Sequence, residues 1–349
     1  MLLRSPFGQQ QIWRSVKQSA QPCLYISRSR QLGVPLPLLA EQRRIVEKLD
    51  QLLGLCDELA ARQAAQREKR QRLVGATLDR LVTCCDPAEF TTHTNRLRNH
   101  FDRLFDTPTT IPQLRQTILQ LAVQGQLVPQ DPDDEPASDL SVPDEELIAQ
   151  SSFEIPDGWS WTRLSQLADI NGGFAFKSSD YTDDGTRVVR ISDFDEFGFK
   201  NHKVVRHLFT PDLQRFSLAP SNILMAMTGG TVGKSYLVKS LPEPMVVNQR
   251  VATINVFEAA NPHYIDIVIR SEMTQQVIRK AKNSTNDNIS MGDIKGFAIP
   301  IPPLAKQQRI VTKVTELLSL CDALEAKLTQ AESTTTQLLS AAVHHLLQH

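Results

Sequence analysis

The sequence predicts an α+β protein in which a β-rich domain is flanked by two long coiled-coil helices. Two observations carry this prediction. Residues 35–81 align with residues 300–346 without a gap, and 19 of the 47 aligned positions are identical. Residues 151–299 instead contain short β-branched runs separated by turn residues. A repeat of this length indicates that one helical unit occurs twice, on either side of the β-rich part.

Each copy of the repeat is predicted to form one long helix. Prolines stand at its start, where a helix tolerates them, and none follows for about forty residues. Apolar residues recur at alternating spacings of three and four, which is typical of a coiled-coil seam. Such a helix needs a partner, and the other copy is the obvious one. The seam positions are Ile45, Leu49, Leu52, Cys56, Leu59, Leu73, Thr77 and Leu81, and Ile310, Val314, Leu317, Cys321, Leu324, Leu328, Leu338, Ala342 and Leu346.

The composition narrows the class of protein. The 349 residues suffice for two domains with long helices, and the net charge of −1 neither favours nor excludes a nucleic-acid partner. The 5 cysteines include no CxxC pair, and no Cys/His cluster has zinc spacing. Cys56 and Cys321 are expected to be buried small apolar side chains. No apolar run is long enough to span a membrane, and no signal peptide is evident. We therefore expect a cytoplasmic protein with no cofactor, no metal and no membrane partner.

Residues 1–34 are predicted to be a second, partial repeat. The matched segments are Leu3–Ser5 with Ile269–Ser271, Gln9–Ile12 with Gln275–Ile278, and Ile26–Ser27 with Ile289–Ser290. These residues therefore correspond to the tail of a unit whose complete version spans residues 151–299. Two explanations stay open, a chain truncated relative to its relatives and a naturally shortened form.

The first long helix is expected over residues 38–82, and a connector is expected over residues 83–150. Within the connector, Asn95–Phe105 predicts a short helix. Ile111–Val128 predicts a clearer helix, with Gly125 where it should end.

The β-rich domain is expected over residues 151–299. Residues 130–146, just before it, are rich in proline and acidic residues, which indicates a solvated linker rather than a metal site. Pro156–Trp161 reads as a turn that leads into an aromatic strand. A helix is expected at residues 261–282, and the second long helix at residues 300–349. Further strands are predicted at Arg187–Ile191, Ile223–Met227, Tyr236–Lys239 and Arg250–Val256.

Three motifs suggest catalysis but do not satisfy its requirements. A phosphate-binding Walker A loop has four residues between its glycines, whereas Gly229 and Gly233 are separated by three. Asn261–Tyr264 is similar to the Asn-Pro-Pro-aromatic motif of amino-methyltransferases, but it lacks the second proline and a glycine-rich cofactor loop. Glu325 and Lys327 lie on the predicted coiled coil with no aspartate arranged to complete a nuclease site. We therefore expect no catalytic residues.

The combined motifs resemble the specificity (S) subunit of type I restriction–modification systems. The residues that carry the resemblance are Pro35–Val46, Pro300–Val311, Leu114–Val128, Pro156–Trp161, Ile223–Gly233 and Asn248–Arg250. The family implies two target-recognition domains that each read half of a split DNA sequence. It also implies two conserved helices that pair antiparallel and dock the modification subunits. The resemblance implies that residues 1–34 are the remnant of a first recognition domain, 35–82 the first conserved helix, 83–150 a connector, 151–299 a complete recognition domain and 300–349 the second conserved helix.

In this interpretation the chain performs no chemistry. It binds double-stranded DNA and positions two partners, a methyltransferase (M) subunit that uses S-adenosylmethionine and a restriction (R) subunit that translocates and cleaves DNA. Recognition requires phosphate anchoring together with readout of base edges. Residues 154–297 contain 16 basic and 16 acidic residues, so a DNA-binding face has to arise from asymmetric placement. The candidate DNA-binding residues are Lys177, Ser178, Ser179, Tyr181, Arg187, Arg190, Thr231, Lys234, Asn248, Gln249, Arg250, Asn286 and Asn288.

Physical reasons support these candidates. Lys177 follows Gly172-Gly173, where a backbone without Cβ atoms can approach a phosphate. Arginine is the best reader of guanine, and asparagine and glutamine read adenine.

Alternative functions remain open. The chain could be a coiled coil that presents a β-rich protein-binding module without binding DNA. It could be a half-subunit that self-associates, so that two copies each supply one recognition domain and read a palindromic split target. It could also be an inactive remnant. Strong salt dependence of DNA binding would favour a DNA-binding function.

Overall fold

A computed structural model describes residues 3, 5–16, 23–84, 86–137, 145–150, 153–282 and 288–348. The chain divides into two compact units, residues 1–70 and residues 71–349. The second unit contains all of the described strands. None of the described helices is long and apolar enough to cross a membrane.

Helices dominate both ends of the chain. They are α1 (Pro6–Ser15), α2 (Ile26–Ser29), α3 (Leu39–Thr83), α4 (Pro87–Asn99), α5 (Phe101–Leu104), α6 (Ile111–Val123), α7 (Glu145–Gln150), α8 (Leu164–Leu167), α9 (Pro262–Arg270), α10 (Glu272–Lys282), α11 (Met291–Lys295) and α12 (Leu304–Gln348). Short 3₁₀ helices occupy Pro108–Thr110, Ser178–Asp180, Pro211–Phe216 and Gly229–Thr231.

Strands are confined to the part of the chain between α7 and α12. They are β1 (Ser160–Arg163), β2 (Ala168–Gly172), β3 (Thr186–Val189), β4 (Phe194–Asp195), β5 (Gly198–Phe199), β6 (Val205–His207), β7 (Ile223–Ala226), β8 (Ser235–Leu237), β9 (Met245–Val247), β10 (Val251–Val256) and β11 (Ala298–Ile301). The four strands predicted downstream of Pro156–Trp161 are present, with ends within two residues of the predicted ones.

The strands form four small sheets. The largest has the order β2-β10-β7-β8 and is antiparallel. The second has the order β6-β3-β9, in which β3 and β9 run parallel. Two-stranded pairs join β1 to β11 and β4 to β5. The α+β class is therefore as predicted, and we call residues 153–301 the β-rich domain.

Strand β7 shows how the two larger sheets share a core. Ile223 and Met225 contribute to a large apolar cluster that also contains parts of α6, α9 and α12. Leu224 and Ala226 point to the other side, into a cluster with Val189 and Val247 of the second sheet. Since both faces of β7 are buried, its sequence is apolar throughout rather than alternating.

Helix α6 is tied to the middle of α12 by ion pairs. Arg115 on α6 forms ion pairs with Asp322 and, at 2.7 Å between Nη2 and Oε2, with Glu325. The helix ends as predicted, because Gly125 adopts φ +74° directly after the last turn. A Cβ at this glycine would lie 2.4 Å from Cγ of Pro156, so the close approach also requires glycine.

Both long helices are present, each with 45 residues. Their predicted seam is correct only in part. Ile310, Val314 and Cys321 are buried as expected, but Cys56 is exposed. Burial of Cys321 arises from the apolar cluster of its own unit, which the repeated helix sequence does not encode. Pairing of the two helices with one another stays a prediction.

The C-terminal end of α3 corrects the predicted seam. Val74, Leu78 and Leu81 are buried in the large apolar cluster, whereas Leu73 is 58% exposed. The expected stripe through Leu73 and Thr77 is therefore wrong by one position. This stripe was extended from the first half of the helix, and a heptad drifts relative to a straight α-helix over such a length.

The predicted helix over residues 261–282 is in fact two helices. Ser271, between α9 and α10, has an extended backbone with φ −66° and ψ 156°. Its hydroxyl donates a 2.7 Å hydrogen bond to the main-chain oxygen of Val268. A serine that bonds the preceding turn competes with continued helix, and here this local bond accompanies the break.

The start of the acidic segment is exposed for the most part, but two of its residues are held against the rest of the protein. Asp134 pairs with Arg309 of α12, and the side chain of Asp134 is only 10% exposed. The amide of Ala137 donates a 2.9 Å bond to the main-chain oxygen of Gly158. Lys306, fully buried, donates to the main-chain oxygens of Val128 and Pro129. The prediction of a solvated linker therefore holds for the exposed residues 131–133, 135 and 136, but it is wrong for Asp134 and Ala137, whose partners are distant in the sequence.

The first unit contains α1, α2 and the first part of α3. By the sequence matches given above, α1 corresponds to α10 and α2 to α11, although β11 precedes α12 and no described strand stands between α2 and α3. Assignment of residues 1–34 as a domain remnant stays a prediction, as do the other predicted domain boundaries.

Candidate nucleic-acid interface

One edge of the second sheet gathers several loops. Because β3 and β9 are parallel, their C-terminal ends lie side by side, and the antiparallel β6 begins at the same edge. The amide of Asn248 donates a 2.9 Å hydrogen bond to the main-chain oxygen of Val189 across this edge. The residues that follow β3 and β9 are therefore neighbours of the residues that precede β6.

The largest sheet contributes to the same edge. The amide of Gln249 donates to the oxygen of Phe174, and the amide of Met227 donates to the oxygen of Arg250, both at 2.9 Å. An isolated bridge joins Thr228 to Asn288. We use the term rim for the joined segments Arg190–Asp193, Lys200–Lys203, Met227–Thr231, Asn248–Arg250 and Asn288–Ser290.

Gln249 and Arg250 are the most accessible candidates on the rim. Both are exposed, and among the described residues their side chains have no hydrogen-bond or ion-pair partner. Asn248 is buried instead, and its Oδ1 accepts a 3.2 Å bond from the amide of Arg250. This arrangement assigns Asn248 to shaping the turn and leaves Gln249 and Arg250 free to contact a ligand.

Arg187 is not placed as the sequence analysis expected. Its side chain is only 3% exposed, and its guanidinium donates to Oδ1 of Asn201 at 2.9 Å and to the main-chain oxygen of Lys200 at 2.5 Å. It also lies 5.7 Å from the ring centroid of Phe199. Since β3 is buried on both faces, a side chain in its middle cannot reach a base edge, and Arg187 instead supports the loop after β5.

Arg190 follows β3 and is also engaged within the protein. Its Nε and Nη2 donate to the two carboxylate oxygens of Asp193 at 2.8 and 3.0 Å, and Nη2 donates to the main-chain oxygen of Lys203 at 2.8 Å. The hydrogen bonds to Asp193 raise the pKa of Arg190 above its ordinary value. This geometry favours a supporting place for Arg190 over direct contact with guanine.

The segment Lys177–Tyr181 follows Phe174, whose main-chain oxygen accepts the hydrogen bond from Gln249 of the rim. Lys177, Ser178 and Ser179 are exposed, and Ser179 Oγ donates to Asp180 at 2.8 Å. Phe176 anchors the segment, since it packs with Val188, Leu213 and Val246 in a third apolar cluster, and its ring lies 6.4 Å from that of Tyr181.

Gly173, before this segment, serves a different purpose from the one predicted. A Cβ there would lie 2.2 Å from the main-chain oxygen of Val247. The missing side chain therefore admits another strand of the same protein, and the close approach gives no evidence for a phosphate.

The turn at Gly229–Thr231 carries the candidate Thr231 and is followed by the candidate Lys234. The amides of Val232, Gly233 and Lys234 donate within the protein, to the oxygens of Gly229, Ala226 and Thr231. Thr231 remains partly exposed on the rim. The side chain of Lys234 is exposed and faces a separate cleft of about 1160 Å³ between the β-rich domain, α6 and α12.

The remaining candidates lie at the end of the rim. Asn288 is exposed beside Thr228. Asn286 lies outside the described residues. Ser290, two residues further on, caps α11 reciprocally with Asp293, which fixes the backbone where it leaves the rim.

The sequence analysis missed the loop Lys200–Lys203. Lys203 adopts φ +55°, a left-handed conformation that costs roughly 1–2 kcal/mol for a residue with a Cβ. The side chains of His202 and Lys203 are exposed and unpartnered among the described residues. The signal in the sequence was the polar, basic run after Gly198, which has no hydrophobic period to mark it.

Some of the charged side chains on and beside the rim have a partner of opposite charge, and others do not. Lys200 pairs with Asp195 at 2.9 Å, and its hydrogen bond lowers the pKa of that carboxyl. Asp193 is bonded by Arg190. Lys203 and Arg250 therefore stand as uncompensated cations on this surface, within the part of the chain that the structure describes.

The described residues offer no group of three or more His, Cys, Asp or Glu side chains that could hold a metal ion. What the rim does offer is a set of exposed donors with a net positive charge. Such a surface suits a polyanion with hydrogen-bonding edges.

Comparisons with known proteins agree with this chemistry. The family model for the type I restriction modification DNA specificity domain matches residues 156–332. The chain is 30% identical to the type I restriction enzyme EcoAI specificity subunit of Escherichia coli, over 96% of this chain and 61% of that protein. It is 27% identical to the EcoEI specificity subunit of the same species, over 88% of this chain and 57% of that protein. The chain thus spans about three fifths of the length of these curated relatives.

A solved structure supports the fold. A chain from a study of complex assembly and conformational transition of a type I restriction–modification system matches with a TM-score of 0.57. The identity is 19%, and the match covers 97% of this chain and 67% of that chain. The family model covers half of the sequence, including almost the whole β-rich domain. The chain belongs to the family of type I restriction–modification DNA specificity proteins.

Proposed function

We propose that the protein is a DNA specificity subunit of a type I restriction–modification complex and that the rim binds its target. One observation carries the proposal. Exposed, uncompensated donors from separate loops, namely Lys203, Gln249, Arg250 and Asn288, converge on one edge of the domain that the family model matches. Family membership favours this function over that of a coiled-coil protein-binding module.

The chemistry of the rim fits duplex DNA. A glutamine amide can bond bidentately to adenine in the major groove, and an arginine guanidinium can do so to guanine. Gln249 and Arg250 are adjacent and are held by main-chain hydrogen bonds to Phe174 and Met227. Because their backbone is fixed from both sides, their side chains would meet the groove in a defined register.

In this proposal the subunit carries no catalytic residues. Methylation and cleavage reside in modification and restriction subunits, which α3 and α12 dock. Leu338, Leu339 and Val343 of α12 are each more than half exposed, which supports a docking surface at that end of the helix.

The test is selection of a target from a random duplex library by the full chain, followed by sequencing. Enrichment of one motif supports the proposal, and a palindromic motif would indicate that two self-associated copies act together. Loss of that motif in a Gln249→Ala/Arg250→Ala variant, with retention in Lys239→Ala, would place readout on the rim. Absence of any enrichment and of salt-dependent binding would reject DNA recognition by this chain.

A further inference from the structure

The loop Lys200–Lys203 is held unusually firmly for an exposed segment. The amide of Lys200 donates a 2.8 Å bond to the main-chain oxygen of Asp193. Arg187 donates to the main-chain oxygen of Lys200 and to the side chain of Asn201. Arg190 donates to the main-chain oxygen of Lys203. Two arginines thus each direct at least one hydrogen bond to this short loop.

The placement of Arg187 is costly, although Glu243 lies 3.8 Å from its guanidinium. Arg187 is buried, and its Nε has no partner among the described residues. Burial of a cation with an unused donor is unfavourable unless something is gained from it. The hydrogen bonds from the two arginines hold the backbone of Lys200–Lys203 in one conformation.

That course contains a strained residue. Lys203 has φ +55°, although neither of its neighbours is a glycine that could relieve the strain. Strained backbone persists where the surroundings determine it, and it is concentrated at functional sites. The left-handed turn sits next to Arg190 on the rim, at the edge where Gln249 and Arg250 also emerge.

The hydrogen bonds to the loop fix the position of its last residue, Lys203, on the surface. The ammonium of Lys203 has no acidic partner among the described residues, whereas Lys200 is occupied by Asp195. A lysine is a compact point charge on a flexible stem, suited to a phosphate rather than to bidentate reading of a base. Phosphate contacts fix the register in which base readers meet the groove.

We propose that residues 200–203 form a preorganised DNA-backbone contact in which Lys203 binds a phosphate, and that Arg187 and Arg190 are its positioning residues. This inference rests on the proposed function, since it names how the same rim is aligned on DNA. Arg187 and Arg190, attractive as base readers in the sequence, act in this account through the loop.

The experiment is a salt titration of the full chain with a mixed-sequence fluorescent duplex. Each phosphate contact adds about 0.9 to the slope of log affinity against log salt. Lys203→Gly should make that slope shallower by about this amount. Between about 50 and 200 mM salt, the affinity of the variant should therefore fall by a factor about 3-fold smaller than that of the unmodified protein. Lys203→Arg should keep the slope.

Two controls distinguish loss of a phosphate contact from loss of folding or from loss of any surface lysine. Glycine accepts a positive φ without strain, so Lys203→Gly should melt no lower than the unmodified protein. Lys239 follows β8 at the opposite end of the largest sheet and is exposed without a partner among the described residues, so Lys239→Gly is the matched control. It should leave the slope unchanged.

A double-mutant cycle between Arg190 and Lys203 tests whether Arg190 acts by positioning the loop. Arg190→Gln should lower the slope in the unmodified background but have no further effect in Lys203→Gly. Additive effects would mean that Arg190 does not act through Lys203. An unchanged slope in Lys203→Gly would overturn the inference while leaving the proposed function intact. A slope near zero in the unmodified protein would overturn both.

Discussion

The backbone at Gly173 lies so close to Val247 that a Cβ on the glycine would be 2.2 Å from the main-chain oxygen of Val247. This approach joins the end of β2 to the end of β9 and so connects the two larger sheets at the rim. Gly172, its neighbour, has no atom within 4 Å of an added Cβ. Two adjacent glycines therefore have opposite requirements.

The first prediction uses this pair. Gly173→Ala should destabilise the protein by about 3 kcal/mol or more, because a backbone atom rather than a flexible side chain has to move. Gly172→Ala should be neutral or stabilising by up to about 1 kcal/mol, since alanine restricts the unfolded chain. Chemical denaturation of both variants measures the difference. Equal stabilities would show that the two sheets do not approach as described.

The second prediction concerns Lys306. Its ammonium donates to the oxygens of Val128 and Pro129 in a buried site. Lys306→Met should cost about 2–4 kcal/mol, because two buried carbonyls lose their donor. Lys313→Met is the control, since Lys313 makes only an exposed pair with Glu316, and it should cost less than about 1 kcal/mol. Comparable losses would argue against the contact of α12 with Val128 and Pro129.

Lys306 also predicts a pH dependence. Burial lowers the pKa of Lys306 below its ordinary value of 10.5. The unfolded chain then binds more protons than the folded protein between the two pKa values, so this group makes stability rise as the pH rises toward 10.5. The contribution should be missing from Lys306→Met. Denaturation curves measured at several alkaline pH values would contradict this if both proteins had the same slope.

The third prediction concerns Tyr264, which is fully buried and donates a 2.5 Å bond to the main-chain oxygen of Pro300. Burial raises its pKa well above 10.0. Because the folded protein keeps this proton after the unfolded chain has lost it, the contribution of Tyr264 to stability falls as the pH rises above 10.0. Tyr264→Phe should cost about 1–2 kcal/mol at neutral pH and should remove that alkaline loss. A Phe variant with an unchanged alkaline decline would refute the assignment.

The fourth prediction distinguishes base readout by Gln249 from the structural role of Asn248 in the turn. Gln249→Ala should reduce discrimination at one base-pair position by about 1–3 kcal/mol without changing the melting temperature. Asn248→Ala should instead destabilise the fold by about 1 kcal/mol, because its side chain bonds the amide of Arg250. Competition binding against single-position variants of the selected target, together with thermal melts, distinguishes the two. Loss of discrimination only in Asn248→Ala would reverse the roles.

Much of the fold could be predicted from the sequence because its signals are local. The two long helices follow from a gapless repeat with a sustained apolar period. The end of α6 follows from Gly125, and the strand positions follow from β-branched runs between turns. The family resemblance came from the same local motifs.

The features that the sequence could not reveal depend on distant partners. Burial of Arg187 depends on its contacts with Phe199, Lys200 and Asn201 and on Glu243, which lies 3.8 Å away. Docking of Asp134 depends on Arg309, and the shape of the Lys200–Lys203 loop depends on Arg190. The interface candidates that remain free, Gln249, Arg250 and Asn288, were identified by residue type, whereas Lys203 became visible only through its backbone conformation.

The most direct test of the central claim is methylation mapping. The full chain would be co-purified with a type I modification subunit from the same genome, and DNA exposed to the complex would be sequenced for methylated adenines. The account predicts methylation at one recurring sequence, and a change or loss of that sequence in Gln249→Ala/Arg250→Ala. Stable association without methylation, or methylation at a sequence that this variant leaves unchanged, would contradict target recognition by the rim.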